Sequence, residues 1–471
     1  MLSRTALVAK HMSMSTSASE PPILFESSGS LRRYILNRPK KHNALDGDMI
    51  AELRPKLREW DQSELCKVIV GSGSGPSLCA GGDVVSVVKF AASKETQHLG
   101  VQYFKNEFEL DYQLASLSKP YIAIMQGNTM GGGVGLSINA PFRIATETTT
   151  FAMPETKIGY CPDVGASHFL PKLDGELGTY FALTGEILKG RAVFELGIAT
   201  HYVPSKRVPG LLEAISSIEN PSYAQINSII EEHYGEPLAN EPGNTFVNEL
   251  REAVDTAFGK DTVEDIISTL EELMQSKSEI VAKWAESTLS SLNMRSPTSL
   301  KVALEAIRRG KKLTLSQALG MEMGIANAFL TGASSDFATG VWHVVVDKRR
   351  DTRPNWSPSE LSQVDKEFVK NFFDNSKYVT SAPKLEIDNS KVQQQDPMRY
   401  GLPTEEEIKQ VVRGEHPQSG ALALTREEVV KKFLGMTGNK HGVSEKVYEV
   451  LERRCEVIQD PDNNGCLRWK F

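Results

Sequence analysis

Two acidic residues beside prolines are the first candidates for chemistry in this chain. In the segment FAMPETKIGYCPDVG, residues 151–165, Glu155 and Asp163 each directly follow a proline. A carboxylate in a largely apolar pocket has a raised pKa and can act as a base or as a nucleophile. A second carboxylate can hold a water molecule or a substrate hydroxyl. The alternative is that both are ordinary turn residues, because Pro-Glu and Pro-Asp are common turn dipeptides.

Two glycine-rich turns precede this segment. MGGGVGLS (130–137) follows the apolar run YIAIM (121–125), and LCAGGDV (78–84) follows a predicted strand and turn. Because glycine has no side chain, a ligand oxygen can approach the backbone N–H groups of such turns. Two N–H donors from separate turns are what an oxyanion hole for a thioester or ester carbonyl requires. The alternative is close packing of a strand against a helix, which glycines also permit.

Strands alternate with helices in the first half of the chain. The apolar runs at 31–36, 67–70 and 121–125 predict strands, and apolar residues at helical spacing over 48–60 predict a helix. Such alternation is typical of crossover connections and a largely parallel sheet. The sequence therefore predicts the α/β class.

The second half of the chain is predicted to be mainly helical. Ile266, Leu270, Leu273 and Ile280 stand at helical intervals, and SPTSLKVALEAIRRG (296–310) begins with a capping serine and ends on glycine. TEEEIKQVVRG and TREEVVKKFLG, near the C-terminus, predict two capped helices that end on glycine. The predicted organisation is a leader at 1–20, a core with the active site at 21–210, a helical region at 211–375, a linker at 376–400 and a helical extension at 401–471.

Composition excludes several classes of protein. The 471 residues are 40% hydrophobic and 24% charged, which is typical of a soluble enzyme, and the net charge of −7 argues against direct nucleic-acid binding. Apolar runs are too short for a membrane span. The five cysteines form no CxxC pair, and the histidines lack metal-site spacing, so neither a disulfide framework nor a metal site is expected.

The first nineteen residues resemble a mitochondrial transit peptide. MLSRTALVAKHMSMSTSAS is basic, contains five serines and has no acidic residue. This composition predicts localisation to the mitochondrial matrix. The alternative is a disordered N-terminus with no targeting role.

Four segments in a fixed order carry a family resemblance. LNRPKKHNAL (36–45), CAGGDV (79–84), MGGGVGLS (130–137) and FAMPETKIGYCPDVG (151–165) resemble the crotonase (enoyl-CoA hydratase/isomerase) superfamily, and more narrowly its 3-hydroxyisobutyryl-CoA hydrolase branch. The resemblance extends over roughly residues 22–360. It implies a crotonase-like α/β fold, a spiral of β-β-α turns with a helical C-terminal region.

The resemblance also implies a role for each matched residue. The N–H groups of Gly82 and Gly132 would polarise the carbonyl of an acyl-CoA thioester. Glu155 would be the nucleophile or base, and Asp163 would bind the 3-hydroxyl group of the substrate or orient water. Glu107, in KNEFEL, matches a glutamate that contacts substrate. Without the resemblance, Glu107 would be interpreted as part of a solvated helix face.

Candidate contacts for CoA follow from the same resemblance. They are Lys40, Lys41, His42, Ala80 and Lys348. The alternative for the first three is a solvated basic turn. CoA is part of the substrate in this interpretation, so no separate cofactor and no metal are expected.

One position separates two reactions within the superfamily. Hydratases carry a glutamate just after the triple glycine and a second one in the Pro-Glu motif, whereas this chain has Gly135 at the first place. Hydrolysis of the thioester is therefore favoured over hydration of a double bond. Two departures from the family pattern stand out. Residues 166–168 read Ala-Ser-His where many relatives have glycines, which adds bulk near the predicted substrate, and Thr339 replaces a commonly acidic residue.

A structural role is the alternative from another class. Some fungal relatives of the family are associated with the small subunit of the mitochondrial ribosome, and the C-terminal extension would suit docking. Because the chain is acidic, such docking would use protein contacts rather than RNA. No membrane partner is expected, and the oligomeric state stays open, with a homo-oligomer among the alternatives.

Overall fold

The computed structural model describes residues 20–239, 241–388, 396–420, 422–458 and 465–470. The predicted transit peptide, apart from Glu20, lies outside these ranges. The strands are β1 (Ile23–Ser28), β2 (Leu31–Leu36), β3 (Val68–Gly73), β4 (Ser77–Cys79), β5 (Tyr121–Met125), β6 (Asn128–Met130), β7 (Phe142–Ala145), β8 (Thr150–Ala152), β9 (Leu188–Lys189), β10 (His201–Tyr202), β11 (Cys455–Val457) and β12 (Leu467–Trp469).

Helices occupy most of the remaining described chain. In the first half they are α1 (Gly47–Gln62), α2 (Val84–Ala91), α3 (Gln97–Ala115), α4 (Gly132–Ile138), α5 (Ala166–Phe169), α6 (Leu177–Thr184), α7 (Ala192–Glu195), α8 (Val208–Ser216) and α9 (Tyr223–Glu232). In the second half they are α10 (Asn248–Phe258), α11 (Val263–Leu273), α12 (Glu279–Asn293), α13 (Pro297–Gly310), α14 (Leu315–Leu330), α15 (Asp336–Gly340), α16 (Lys366–Lys370), α17 (Lys377–Thr380), α18 (Glu405–Arg413), α19 (Arg426–Thr437) and α20 (Val443–Arg454).

Two sheets are built from alternating strands of the chain. The larger has the order β1-β2-β3-β5-β7-β10, and its pairs are parallel apart from β1 with β2. The smaller has the order β4-β6-β8-β9, parallel apart from β8 with β9. Successive pairs of strands, such as β3 and β4 or β5 and β6, therefore send one strand to each sheet before a helix follows. This is a repeating β-β-α turn.

The central strands of the larger sheet are covered on both faces. Val68, Ile69 and Val70 of β3 are fully buried, as is the whole of β5. Strands buried on both faces read as continuous apolar runs rather than as an alternating pattern. The predictions of strands at 31–36, 67–70 and 121–125 are confirmed, as is the helix at 48–60, which lies within α1.

The end of the predicted linker and the C-terminal extension pack onto the rest of the chain through charged groups. The guanidinium of Arg143 donates to the carbonyl of Pro397 at 2.7 Å. Lys446 pairs with Asp174, and Lys440 pairs with Glu231, each at 2.5 Å. Pro397, Lys440 and Lys446 are thus attached to the core by contacts that are largely buried.

The described residues contain neither a metal cluster nor a membrane span. No group of three or more His, Cys, Asp or Glu side chains in those ranges is placed to hold a metal ion. No helix there combines the length and the hydropathy needed to cross a bilayer.

Candidate active site

A cavity of about 550 Å³ lies at the carboxyl ends of β4, β6 and β8. The ends of parallel strands are a common place for ligand sites in α/β folds. Its lining comes from the turns after these strands, from α2 and α3 and from three further segments: Lys41, Ala44, Ala80, Gly81, Gly82, Asp83, Val84, Val85, Ser86, Lys89, Tyr103, Phe104, Glu107, Gly131, Gly132, Pro154, Glu155, Ile158, Tyr160, Asp163 and Val345. The two glycine-rich turns and the Pro-Glu and Pro-Asp segment therefore meet at one cavity.

Two backbone N–H groups at this cavity have no acceptor within the described chain. Gly82 precedes α2 and Gly132 begins α4, and the N–H of neither donates a hydrogen bond there. On either side of Gly82 the backbone is bonded to Leu45: the N–H of Leu45 donates to the carbonyl of Gly81, and the N–H of Asp83 donates to the carbonyl of Leu45. A Cβ atom at position 132 would lie 3.4 Å from the nitrogen of Gly82. The backbones of the two turns therefore lie side by side at the cavity.

Neither of these glycines can be replaced without a collision. A Cβ atom at 132 would lie 2.4 Å from Oε1 of Glu107, and one at 82 would lie 2.5 Å from the hydroxyl of Tyr103. That hydroxyl is fixed by its hydrogen bond to the carbonyl of Leu45 at 3.0 Å. The glycines are therefore needed because polar side chains of α3 pack directly against the backbone of both turns.

Glu155 is placed by the turn after β8. It begins a short 3₁₀ helix, Glu155–Ile158, and is 7% exposed. Its Oε2 atom is buried and has no hydrogen-bond partner in the described chain, and its Oε1 atom lies 3.0 Å from where a Cβ of Gly131 would be. Gly131 itself has a φ of +46°, a conformation that favours glycine. The Glu155 carboxyl therefore packs against the turn that leads into Gly132.

Glu107 and Asp163 complete the predicted acidic group. Glu107 lies on α3, is 2% exposed and accepts a long hydrogen bond of 3.4 Å from Tyr103. Its burial excludes the solvated helix face as an alternative. Asp163 lies between the 3₁₀ helix and α5 and is equally buried, at 5% exposed. Both side chains line the cavity.

Burial dominates the electrostatics of the site. It raises the pKa of Glu107 and of Glu155 to about 8, although a hydrogen bond from Tyr103 and the charge of Lys157 respectively oppose the rise. Burial also raises the pKa of Asp163, and the charges of Glu107 and Glu155 add to that rise. A pKa of about 8 lets Glu107 and Glu155 exchange protons close to neutral pH, which suits a base or a nucleophile.

A family model described as enoyl-CoA hydratase/isomerase matches residues 31–373. The chain belongs to the enoyl-CoA hydratase/isomerase family. Two similar solved structures support the assignment. A carnitinyl-CoA dehydratase from Mycobacterium thermoresistibile has a TM-score of 0.68 at 30% identity and covers 78% of this chain and 99% of its own. An enoyl-CoA hydratase from Rhodobacter sphaeroides has a TM-score of 0.64 at 28% identity, covering 75% and 97%. The predicted crotonase-like fold is confirmed.

Curated relatives within this enoyl-CoA hydratase/isomerase family have two different names. Small ribosomal subunit protein mS47 of Neurospora crassa is 38% identical over 461 residues, which is 95% of this chain and 88% of the relative. Human mitochondrial 3-hydroxyisobutyryl-CoA hydrolase is 39% identical over 373 residues, which is 79% of this chain and 93% of the relative. The resemblance to the hydrolase branch is confirmed, and similarity to mitochondrial proteins confirms the predicted mitochondrial localisation.

The predicted CoA contacts of this family member divide into two groups. Lys41 and Ala80 line the cavity, and Lys41 lies 3.5 Å from Asp83. Lys40, His42 and Lys348 are not among its lining residues in the described chain.

Two of the three residues outside the cavity lining have an unusual backbone conformation. Both His42 and Lys348 have positive φ, at +50° and +58°. Lys348 follows a π-helical turn, Val341–Val346, whose Val345 does line the cavity. The roles of all five residues in CoA binding stay predictions.

Sequence reasoning predicted Glu107 but missed several polar groups around it. Tyr103, Glu107 and Asp111 are spaced by four residues on α3, a helical spacing that does signal one shared face. Asp111 is fully buried with no hydrogen-bond partner for either oxygen in the described ranges. Its two oxygens lie 2.6 and 2.8 Å from where a Cβ of Gly135 would be. Lys89 and Tyr160, which line the cavity, were also missed.

The stability of this protein is expected to fall as pH rises from about 5 to 8. Burial raises the pKa of Glu107 and Glu155 to about 8 and that of Glu322 to about 7, so the folded state keeps protons that the unfolded state has lost. The stability is fully present below the unfolded pKa and is lost as pH rises through the folded one. Each group contributes at most about 1.4 kcal/mol per pH unit.

Thermal unfolding at pH 5, 6, 7 and 8 measures this effect. The Tm should decrease over the series, and the decrease should be smaller in a Glu107→Gln variant. A Tm that is constant or rises with pH would show that these carboxyls are ionised in the folded protein.

Proposed function

We propose that this chain hydrolyses a 3-hydroxyacyl-CoA thioester, 3-hydroxyisobutyryl-CoA, in the mitochondrial matrix. The products would be 3-hydroxyisobutyrate and CoA, as in valine breakdown. The observation that carries the proposal is the pairing of two free N–H groups, at Gly82 and Gly132, with the buried carboxyl of Glu155 at one cavity. The similarity to human 3-hydroxyisobutyryl-CoA hydrolase supports the choice of substrate.

In this proposal the thioester carbonyl oxygen accepts hydrogen bonds from Gly82 and Gly132. Negative charge grows on this oxygen when the carbonyl carbon is attacked, so fixed donors stabilise the transition state more than the bound substrate. The attacking group is either the ionised carboxylate of Glu155, which gives an acyl-enzyme anhydride, or a water molecule that Glu155 deprotonates. In both routes the C–S bond breaks and CoA leaves as a thiolate. In the first route water then hydrolyses the anhydride, which releases 3-hydroxyisobutyrate and restores the Glu155 carboxylate. In either route the proton that the thiolate takes up comes from the water consumed.

Asp163 is proposed to hold the 3-hydroxyl group of the acyl chain or the attacking water. Burial and the charges of Glu107 and Glu155 raise its pKa, which favours the protonated form that can donate a hydrogen bond. Hydration of an enoyl group is disfavoured because position 135 is glycine and the carboxyl of Asp111 already occupies the space beside it. Neither the cavity lining nor the proposed chemistry calls for a metal or a separate cofactor.

Thiol release from a panel of CoA esters tests the proposal. The panel is 3-hydroxyisobutyryl-CoA, 3-hydroxypropionyl-CoA, acetyl-CoA and crotonyl-CoA, with loss of the crotonyl double bond followed as the readout for hydration. Rapid release confined to the 3-hydroxyacyl esters is the expected result. Release from none of them by the folded protein would contradict the proposal.

A second candidate function is a role in the small subunit of the mitochondrial ribosome. The similarity to the Neurospora crassa ribosomal protein covers 95% of this chain, whereas the similarity to the human hydrolase covers 79%. Co-sedimentation of the full chain with mitochondrial ribosomal subunits at moderate salt tests this role. Recovery only in the soluble fraction would count against it. Co-sedimentation of a Glu155→Gln variant with the subunits would show that this binding does not need thioester hydrolysis.

A further inference from the structure

A buried carboxylate from the helical region holds the turn that carries Asp163. Glu322 lies on α14 and is 1% exposed. Its Oε2 atom accepts the N–H of Gly165 at 2.7 Å. Its Oε1 atom accepts the N–H of Ser167 at 3.0 Å and the hydroxyl of the same serine at 2.5 Å. Both oxygens of one side chain are therefore bonded to a single turn, which runs from Asp163 to Ser167.

The turn bound by Glu322 has an unfavourable backbone conformation. Val164 has a φ of +54°, in the left-handed region that β-branched residues rarely adopt, and Gly165 follows with a φ of +87°. Such a residue persists only where its surroundings hold it in place. Two groups do so here: the three hydrogen bonds to Glu322 and the packing of the buried Val164 side chain beside Gly135 of α4.

We propose that Glu322 is a positioning residue, which holds the turn from Asp163 to Ser167 so that the Asp163 carboxyl is presented to the cavity. Asp163 lines that cavity, whereas Glu322 does not line it in the described chain. Glu322 would therefore act through Asp163 rather than on the substrate. The role of Asp163 in this inference rests on the proposed function, but the turn and its three hydrogen bonds do not.

Glu322→Gln separates the effect of the hydrogen bonds from the effect of the side-chain volume. Glu322→Gln keeps the volume of the side chain but replaces one acceptor oxygen with an NH₂ group, which then faces an N–H donor of the turn. The buried donor loses its partner, which is costly in a dry environment. Ser167→Ala is a milder variant, because it removes the hydroxyl contact and leaves both backbone hydrogen bonds in place.

Hydrogen exchange on the full chain tests, without any activity measurement, whether Glu322 holds the turn. The amides of Gly165 and Ser167 are expected to exchange about 10-fold to 100-fold faster in Glu322→Gln than in the wild type. Glu231→Gln is the matched control, since Glu231 also accepts several hydrogen bonds but from Lys440 and His441. Unchanged exchange at both amides in Glu322→Gln would overturn the proposal.

A kinetic cycle with Asp163→Asn tests whether Glu322 acts through Asp163. In the wild-type background, Glu322→Gln should lower kcat/KM for 3-hydroxyisobutyryl-CoA by about 10-fold or more. In the Asp163→Asn background the same substitution should lower it by less than about 3-fold. Ser167→Ala should have the smallest effect of the single variants. Independent, multiplicative losses would overturn the positioning role. If the wild-type protein releases no thiol, the proposed function fails, and the exchange experiment alone still decides whether Glu322 holds the turn.

Discussion

Glu155→Gln is expected to abolish thioester hydrolysis while leaving the binding of CoA esters intact. The amide has the same shape as the carboxyl but cannot attack a carbonyl carbon and cannot take a proton from water. Loss of such a group lowers the rate by about 10³-fold or more. Binding should persist because the N–H groups of Gly82 and Gly132 and the rest of the cavity lining are unchanged.

Two measurements on the same preparation check this expectation. Thiol release gives kcat, and isothermal titration with 3-hydroxyisobutyryl-CoA gives the Kd of the inactive variant. Glu52→Gln is the control, because Glu52 is an exposed residue of α1, remote from the cavity lining. Full activity of Glu155→Gln would remove Glu155 from the mechanism, and loss of both activity and binding would show that it supports the cavity instead.

The parts of the fold that were predicted from sequence depend on local pattern. β5 is a continuous apolar run bounded by a proline and a glycine, and α13 begins after Ser296 with Pro297 at its first position, as its sequence indicates. Two local details were wrong. Ile280 was placed among the helical apolar positions but is 63% exposed. The predicted end at Gly435 lies inside α19, which ends at Gly438.

The error at Gly435 has a physical reason. Gly435 lies inside the helix and is not among the glycines with a positive φ, whereas Gly438 has the left-handed φ of +68° that ends the helix. The hairpin of β11 and β12 was not predicted, because strands of three residues are too short to show a period. The predicted domain boundaries stay predictions.

The sequence predicted those residues of the candidate site that stand in recognisable motifs. Glu155, Asp163 and the two glycine turns stand in recognisable segments, and all of them line one cavity. Glu322 was missed because it lies 157 residues from Gly165 in the chain, and no local pattern reports a hydrogen bond across that distance. Asp111 was missed because its contact with Gly135 is made by side-chain packing between α3 and α4.

Gly132→Val is expected to block the oxyanion hole. A Cβ atom at 132 lies 2.4 Å from Oε1 of Glu107 and 3.4 Å from the nitrogen of Gly82, so the branched side chain of valine fills the space between the two donors. The carbonyl oxygen of the substrate can then reach neither N–H group. Removing one such donor costs about 10²-fold to 10³-fold in kcat, and blocking both should cost more.

A graded series separates this effect from unfolding. Gly132→Ala adds only the Cβ atom and should give an intermediate loss, while Gly320→Val is the control, because nothing lies within 4 Å of a Cβ at 320. Thermal unfolding of each variant shows whether the protein is folded at the assay temperature. A folded Gly132→Val protein with a rate within a few-fold of the wild type would place the donor elsewhere. A graded loss of kcat in variants that are folded at the assay temperature would support Gly132 as the group that binds the carbonyl oxygen.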